Sequence, residues 1–126
     1  SIHNYISDDN MVRKGAISSA EGERCIIPLN MRDGSLLCTG KGNPDWNCSA
    51  PHGAGRVLSR TQAYEQIKME DFEESMKGIY SESVNDFTRD ESPMVYKPAE
   101  EIIANIADTV CINNIVRPIF NFKACK

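Results

Sequence analysis

The sequence predicts a mixed α+β fold, with short, mainly antiparallel strands and about three helices. Three observations support this: two β-like runs around a tight turn, three stretches with helical spacing of apolar residues, and a length of 126 residues. That length suits one domain, which we predict to cover residues 1–126. Hydrophobic residues make up 40% of the chain and charged residues 25%, as is ordinary for a globular protein.

The strands of a β-hairpin are the first predicted elements. Residues 24–27 and 35–39 are short apolar runs, and Asp33-Gly34 lies between them. An Asp-Gly pair favours a tight reversal, so the two runs are expected to pair. Near the end of the chain, residues 109–123 are predicted to be extended, with a break or sheet edge at Pro118.

Three helices are predicted further along the chain. The first is expected over about residues 54–67, and the second carries apolar side chains at i, i+4 and i+7. The third is expected to open with Pro98 at its first position, where a missing N–H costs nothing. The residues that give the second and third helices their apolar stripes are Phe72, Met76 and Ile79, then Ala99, Ile102, Ile103 and Ile106.

Residues 40–55 are rich in glycine and proline and are predicted to form a long loop, a kind of segment that is often functional. Trp46 lies in this loop. An exposed tryptophan could stack on a nucleic-acid base. More often a single tryptophan anchors a loop onto a core, and this is the role we expect for Trp46.

Charge and cysteine content limit the functional class. The net charge of −4 by itself disfavours a nucleic-acid binder, but the charge is uneven. Residues 10–60 hold seven basic and four acidic residues, and residues 61–91 hold three basic and nine acidic ones.

Five cysteines without a Cys-x-x-Cys pair favour reduced thiols and a cytoplasmic location. No apolar run approaches the length of a membrane span.

The segment Ser49–Arg60 has the residue types for phosphoryl chemistry. Gly53 and Gly55 would let backbone approach a ligand closely, and N–H groups opening a helix there could face an anion. Arg56 and Arg60 would lie one helical turn apart and could point at the same phosphate. Neutral imidazole is nucleophilic near pH 7, so His52 could attack a phosphoryl group. A glycine-rich loop with a structural histidine explains the residues equally well.

The same segment, Ser-Ala-Pro-His-Gly-Ala-Gly-Arg, resembles the signature of the RtcB family of RNA ligases. These enzymes join a 3′-phosphate or 2′,3′-cyclic phosphate end to a 5′-hydroxyl end. Other motifs agree in order and spacing across nearly the whole chain: His3-Asn4-Tyr5, Arg13-Lys14-Gly15-Ala16, Gly22-Glu23, Ile26-Ile27-Pro28, Pro93-Met94-Val95-Tyr96-Lys97 and the terminus at Lys123.

The resemblance implies a role for each matching residue. His52 would be guanylylated from GTP, and His3 would be a ligand of the catalytic Mn²⁺. Arg13, Lys14, Lys41 and Arg60 are candidate RNA contacts from their charge. The turn 30–35 matches the family's nucleotide loop, but Asn30-Met31-Arg32 replaces the serine-containing pattern of many members. The expected nucleotide-binding residues are Asn30, Ser35, Gly53, Ala54, Gly55, Arg56, Tyr96 and Lys123.

The chain matches the C-terminal part of the family's fold. The remaining metal ligands of the family, an Asp, a Cys and two His, would precede Ser1. We therefore expect a GTP- and Mn²⁺-dependent RNA ligase whose isolated chain is inactive, with RNA, GTP and a missing N-terminal half or a full-length ligase as partners. Both tRNA splicing and RNA repair stay open as roles. The alternatives are a non-catalytic guanine-nucleotide or RNA-binding module, or a structural remnant that associates with a full-length ligase.

Overall fold

A computed structural model of the chain describes residues 4–6, 11–118 and 120–121. The predicted mixed α+β architecture is confirmed. The strands are β1 Asn4–Ile6, β2 Val12–Lys14, β3 Ala16–Ser18, β4 Arg24–Asn30, β5 Gly34–Gly40, β6 Ser49–Pro51, β7 Tyr80–Ser81, β8 Val110–Val116 and β9 Phe120–Asn121. The α-helices are α1 Arg60–Gln66, α2 Met69–Ser75 and α3 Ala99–Ile106, and short 3-10 helices cover Pro44–Trp46, Asp86–Glu91 and Pro93–Val95.

The centre of the fold is an antiparallel sheet in the order β4-β5-β8. The predicted hairpin is confirmed, with Cys25 opposite Cys38 and Ile27 opposite Leu36. Alternate side chains point to one face, and these four are buried there. Strand β4 continues past Pro28 to a bulge before Asn30. Proline is tolerated because β4 is an edge strand of this sheet, where a missing N–H interrupts no ladder.

Helix α3 covers the buried face of the sheet. Ile102 and Ile106 lie four residues apart on one side of the helix and join the sheet residues in one apolar cluster. Pro98 is the residue just before the helix rather than its first residue. The chain then turns directly into β8, whose first residue Val110 is buried in the same cluster. Within the described residues, the predicted extended segment appears as β8 and β9, with a break between them near Pro118; residues 119, 122 and 123 lie outside the described ranges.

A second apolar cluster joins α1, α2 and the 3-10 helix at Pro93–Val95 around the buried ring of Phe72. Helix α2 ends at Ser75, and the chain then turns at Gly78, which has φ +90°. The first helix does not begin near Ala54, so that prediction was wrong. It begins at Arg60 because Ser59 and Gln62 form a reciprocal capping box, which satisfies the first N–H groups of a helix.

The residues before α1 are extended because they pair with a distant segment. Val57 donates its N–H to the Val95 carbonyl over 2.7 Å, and the Lys97 N–H donates to Gly55 over 2.8 Å. Arg56 and Tyr96 form an antiparallel bridge between these two hydrogen bonds. Residues 55–57 therefore pair with residues 95–97. The spacing of apolar residues around them could not predict this pairing.

The predicted loop over residues 40–55 is more ordered than expected. It contains a 3-10 helix and strand β6, which pairs with β3 so that Ala16 faces Pro51. Two further small sheets pair β1 with β2 and, in parallel, β7 with β9. The pairing of β6 with β3 fixes the residue that follows β6, which is His52.

The described cysteines Cys25, Cys38, Cys48 and Cys111 form no disulfide with one another. Burial raises the pKa of the Cys38 thiol to about 11, so this thiol stays protonated and unreactive. In the described ranges, no helix is long and apolar enough to cross a membrane.

Candidate functional site

His52 is held in place by the backbone on both sides. Its N–H donates to the Gly15 carbonyl over 3.3 Å, and two residues later the Ala54 N–H donates to the Pro28 carbonyl over 2.9 Å. At Gly53, a Cβ would lie 3.3 Å from the Pro28 oxygen, a contact that requires the neighbour to yield. The segment His52–Ala54 therefore packs against the hairpin. The half-buried histidine is positioned by the hydrogen bonds that this segment donates to Gly15, between β2 and β3, and to Pro28 in β4.

One side of this segment faces a cleft of about 530 Å³, which we call the hairpin cleft. It lies between the hairpin turn, the segment at His52 and the residues just before α3. The structure brings six of the predicted site residues together around it: Asn30, Ser35, His52, Gly53, Ala54 and Tyr96. His52 is one of the residues that line this cleft.

Asn30 shapes the wall of the hairpin cleft. Its side-chain oxygen accepts from the backbone N–H groups of Arg32 and Asp33, and its amide nitrogen donates to the Asp33 carboxylate over 2.9 Å. Burial raises the pKa of Asp33, but hydrogen bonds from Arg32 and Asn30 outweigh it and leave that pKa below its ordinary value. The Asn30 amide is thus used within the turn, an Asx-turn arrangement.

Tyr96 and Glu91 form the polar end of the hairpin cleft. The Tyr96 hydroxyl donates to Glu91 over 2.9 Å. Arg56 donates to the same hydroxyl over 3.4 Å and its guanidinium lies 5.4 Å from the centre of the Tyr96 ring. Burial, and then the Glu91 carboxylate, raise the pKa of Tyr96, while Arg56 lowers it in part. The phenol therefore stays neutral and able to donate.

The two arginines do not share a phosphate from one helical face, so that prediction was wrong. Arg56 precedes α1, and its Nε donates to the Leu58 carbonyl over 3.1 Å. Its Nη2 is buried without a hydrogen-bond partner in the described part of the chain. Arg60 forms an ion pair with Asp90 and lies 3.7 Å from Glu91. Arg56 therefore contacts Tyr96, whereas Arg60 pairs with Asp90 and lies near Glu91, and α1 begins eight residues after His52 rather than directly behind it.

The other side of the His52 segment faces a second cleft of about 600 Å³, which we call the tryptophan cleft. Its rim carries Trp46, Lys97 and Asn105, and its floor includes Ala50, Ile102 and Ile106. Trp46 is 56% exposed, so the expectation that it anchors the loop onto a core was wrong. Gly55, predicted as a nucleotide contact, lines this cleft rather than the hairpin cleft.

The basic residues predicted as RNA contacts lie in different environments. Arg13 is only 4% exposed, and its Nε donates to the Ser49 hydroxyl over 2.8 Å. This buried arginine therefore stabilises β6 and does not present an exposed charge to RNA. Lys41 donates to the Ala107 carbonyl at the end of α3, whereas Lys14 is exposed on β2.

Two predicted site residues, His3 and Lys123, lie outside the described residues. Within residues 4–6, 11–118 and 120–121, no group of three or more His, Cys, Asp or Glu side chains could hold a metal ion. The described residues therefore do not supply a manganese donor set.

Comparison with known proteins decides the family. The family model described as tRNA-splicing ligase RtcB matches residues 2–124. The chain belongs to the RtcB family. It is 33% identical over 128 residues to the RNA-splicing ligase RtcB of Escherichia coli strain K12, covering 96% of this chain and 31% of that protein. It is 36% identical over 106 residues to the tRNA-splicing ligase RtcB of Aeropyrum pernix, covering 78% of this chain and 22% of that protein.

The chain thus spans about a third of the length, or less, of these RtcB relatives. The RtcB signature accounts for His52 and its glycines, but it gave no role to Glu91 and Lys97, which line the clefts, or to Asp90, which pairs with Arg60. Glu91 accepts a hydrogen bond from the Tyr96 hydroxyl. The sequence offered one signal for the acids, since Asp90-Glu91 end one residue before the motif that contains Tyr96.

Proposed function

We propose that this chain is the guanylate-carrying part of an RNA ligase that joins a 3′-phosphate or 2′,3′-cyclic phosphate end to a 5′-hydroxyl end. The observation that supports this best is the position of His52, half-buried and bordering the hairpin cleft beside the turn that resembles the family's nucleotide loop. A cleft of about 530 Å³ is within the usual size range of small-molecule sites.

In the proposed reaction, an imidazole nitrogen of His52 attacks the α-phosphorus of GTP. A nitrogen–phosphorus bond forms, the bond to the β-phosphate oxygen breaks, and pyrophosphate leaves. An oxygen of the RNA 3′-phosphate then attacks the guanylate and the nitrogen–phosphorus bond to His52 breaks, after which the 5′-hydroxyl of the second end attacks the activated 3′-phosphorus and displaces GMP. A 2′,3′-cyclic phosphate end would first be opened by water to the 3′-phosphate. The glycines after His52 let a phosphate approach the backbone, and Ser35 and Tyr96 offer hydroxyl groups at the cleft wall.

Mn²⁺ would supply neutralisation of phosphate charge. The described residues offer no group of three suitable donors and would not hold this ion by themselves. We therefore expect the isolated chain to bind guanine nucleotide without forming the covalent adduct. RNA as substrate and the free thiols of the described cysteines fit a cytoplasmic location, and the chain would work with the further ligase segments that its relatives possess.

The decisive experiment replaces the matching third of the E. coli RtcB ligase with this chain. The chimera is incubated with Mn²⁺ and GTP labelled at its α-phosphorus, and the adduct is mapped by mass spectrometry. We expect one GMP on His52, and no label in the chimera with His52→Asn, which keeps a polar side chain but lacks the nucleophile. Label on another residue, or no label in a chimera that folds and binds GTP, would contradict the proposal.

Binding of GTP to the isolated chain distinguishes the ligase proposal from the alternative of a non-catalytic binding module. GTP is titrated into it with and without Mn²⁺ and binding is followed by calorimetry. A binding module would bind equally well in both conditions and would leave the chimera unlabelled, whereas the ligase proposal requires the label. A clear adduct on the isolated chain would overturn the expectation that it is inactive alone.

A further inference from the structure

His52 borders two clefts, and only one of them is accounted for by a guanylate. The hairpin cleft and the tryptophan cleft share the segment His52–Ala54 as a common wall. A guanylate carried on His52 has to meet a second reactant, because it is passed on to a phosphate. A reactant that enters from the tryptophan cleft would reach the histidine without displacing the nucleotide.

The tryptophan cleft has the chemistry of a nucleoside site. The exposed indole of Trp46 stands at its rim, and the apolar side chains of Ile102 and Ile106 lie at its floor. Aromatic side chains in exposed grooves stack on bases without regard to sequence. A base has two flat faces and polar edges, and the exposed amide of Asn105 at the rim offers both a donor and an acceptor to such an edge.

The two clefts differ in the charged side chains that line them. Lys97 borders the tryptophan cleft, with its ammonium 3.7 Å from where a Cβ on Gly55 would lie. No carboxylate is among the described residues that line this cleft, whereas Glu91 lines the hairpin cleft. An anionic group is therefore favoured on the Lys97 side of His52. The glycine at position 55 leaves the lysine stem room to lie along the backbone.

We propose that the tryptophan cleft holds the terminal nucleoside of the RNA strand that carries the 3′-phosphate, with its base on Trp46 and its phosphate near Lys97 and His52. This rests on the proposed function, because it names the strand that accepts the guanylate. Trp46 is a positioning residue here, and Lys97 contacts the phosphate.

The test uses the intrinsic fluorescence of the chain, since Trp46 is its only tryptophan. A short single-stranded RNA with a 3′-phosphate is titrated into the whole chain, and the same strand with a 3′-hydroxyl is titrated in parallel. We expect saturable quenching of Trp46, with tighter binding of the phosphorylated strand. Lys97→Gln should reduce the difference between the two strands while leaving the quenching at saturation.

Variants are compared by fluorescence anisotropy of a dye-labelled RNA. Trp46→Ala should weaken binding about tenfold, the loss expected for one stacked base, and Trp46→Phe should recover most of it. Phe87→Ala is the matched control, because Phe87 is 70% exposed and lines neither cleft. It should bind RNA as the unmodified chain does.

Three results would overturn the proposal: no binding of the phosphorylated strand, binding that leaves the Trp46 fluorescence unchanged, or equal affinity of the Trp46→Ala chain. The outcome is independent of the labelling of His52. Quenching together with an unlabelled chimera would keep the nucleoside site and reject the ligase chemistry. Labelling of His52 without quenching would keep the ligase proposal and reject this site.

Discussion

The hairpin cleft is walled by side chains that hydrogen-bond one another, whereas the tryptophan cleft is walled by exposed side chains over an apolar floor. In the first, Asn30 is fixed within the turn and Tyr96 is fixed by Glu91 and Arg56. In the second, Trp46 and Asn105 stand at an open rim. If both proposals hold, the first cleft is shaped in advance for one ligand, and the second would accept different bases. Substitutions should therefore cost stability at the hairpin cleft and little at the tryptophan cleft.

The largest loss of stability is expected for Gly34→Ala at the hairpin turn. Gly34 has φ +81°, and a Cβ there would lie 1.9 Å from the Val116 carbonyl oxygen, so β5 and β8 would have to separate. We expect a loss of roughly 2–4 kcal/mol in the free energy of unfolding, measured by urea denaturation. Gly22→Ala is the control: its φ is +79° with nothing within 4 Å, and it should lose only about 1 kcal/mol. Equal losses would show that the close approach at Gly34 is unimportant.

Removal of the carboxylate at Asp90 should have the next largest effect. Asp90 is 6% exposed, pairs with Arg60 and accepts from the Tyr64 hydroxyl over 3.1 Å. Asp90→Ala should lower the free energy of unfolding by about 1–2 kcal/mol, because the hydrogen bonds that this buried carboxylate accepts from the Tyr64 hydroxyl and from the exposed Arg60 guanidinium are both lost. Asp86→Ala is the control, because it removes an exposed carboxylate that lies 3.6 Å from Arg89. It should change the free energy of unfolding by less than about 0.5 kcal/mol. A reversed order would contradict the network described beside Tyr96.

A smaller effect is expected for Tyr96→Phe. The substitution removes the hydroxyl that donates to Glu91 and accepts from Arg56, which should cost about 1 kcal/mol of unfolding free energy. The measurement is a double-mutant cycle with Glu91→Ala. In the Glu91→Ala background the same substitution should cost clearly less, and an undiminished cost would mean that the two side chains act independently.

The smallest effect on stability is expected for Trp46→Ala. Because the indole is mostly exposed, its removal should change the free energy of unfolding by less than about 0.5 kcal/mol. Denaturation is followed by circular dichroism, since the fluorophore is lost. A loss above about 2 kcal/mol, in the range of a core truncation, would mean that Trp46 is a packing residue after all and would remove the contrast between the clefts.

The parts of the fold that could be predicted depend on local signals. Two short apolar runs and the Asp33-Gly34 turn specify the hairpin, and the spacing of Ile102 and Ile106 specifies α3. The start of α1 could not be predicted from the spacing of apolar residues, because residues 55–57 pair with a segment some forty residues away in sequence. In retrospect, the Ser59 and Gln62 capping pair was the local signal for it.

The candidate site also has features that the sequence predicted and features that it could not predict. The signature around His52 indicated which residues would meet at a cleft, and the structure places six of them there. It could not indicate where charged side chains find partners, since Arg60 meets Asp90 thirty positions further along the chain. Nor could composition show that Arg13 is buried and Trp46 exposed, because exposure depends on which elements fold over each side chain.

The most direct test of the central claim, that His52 is the wall between a nucleotide cleft and an RNA cleft, is nuclear magnetic resonance of its imidazole nitrogens. The chain has two histidines, so the His52→Asn spectrum assigns the signals. GMP and a 3′-phosphorylated RNA, added singly, should each shift the His52 resonances, and RNA added to the GMP-saturated chain should shift them again without releasing GMP. Shifts from only one ligand, or displacement of GMP by RNA, would contradict the account.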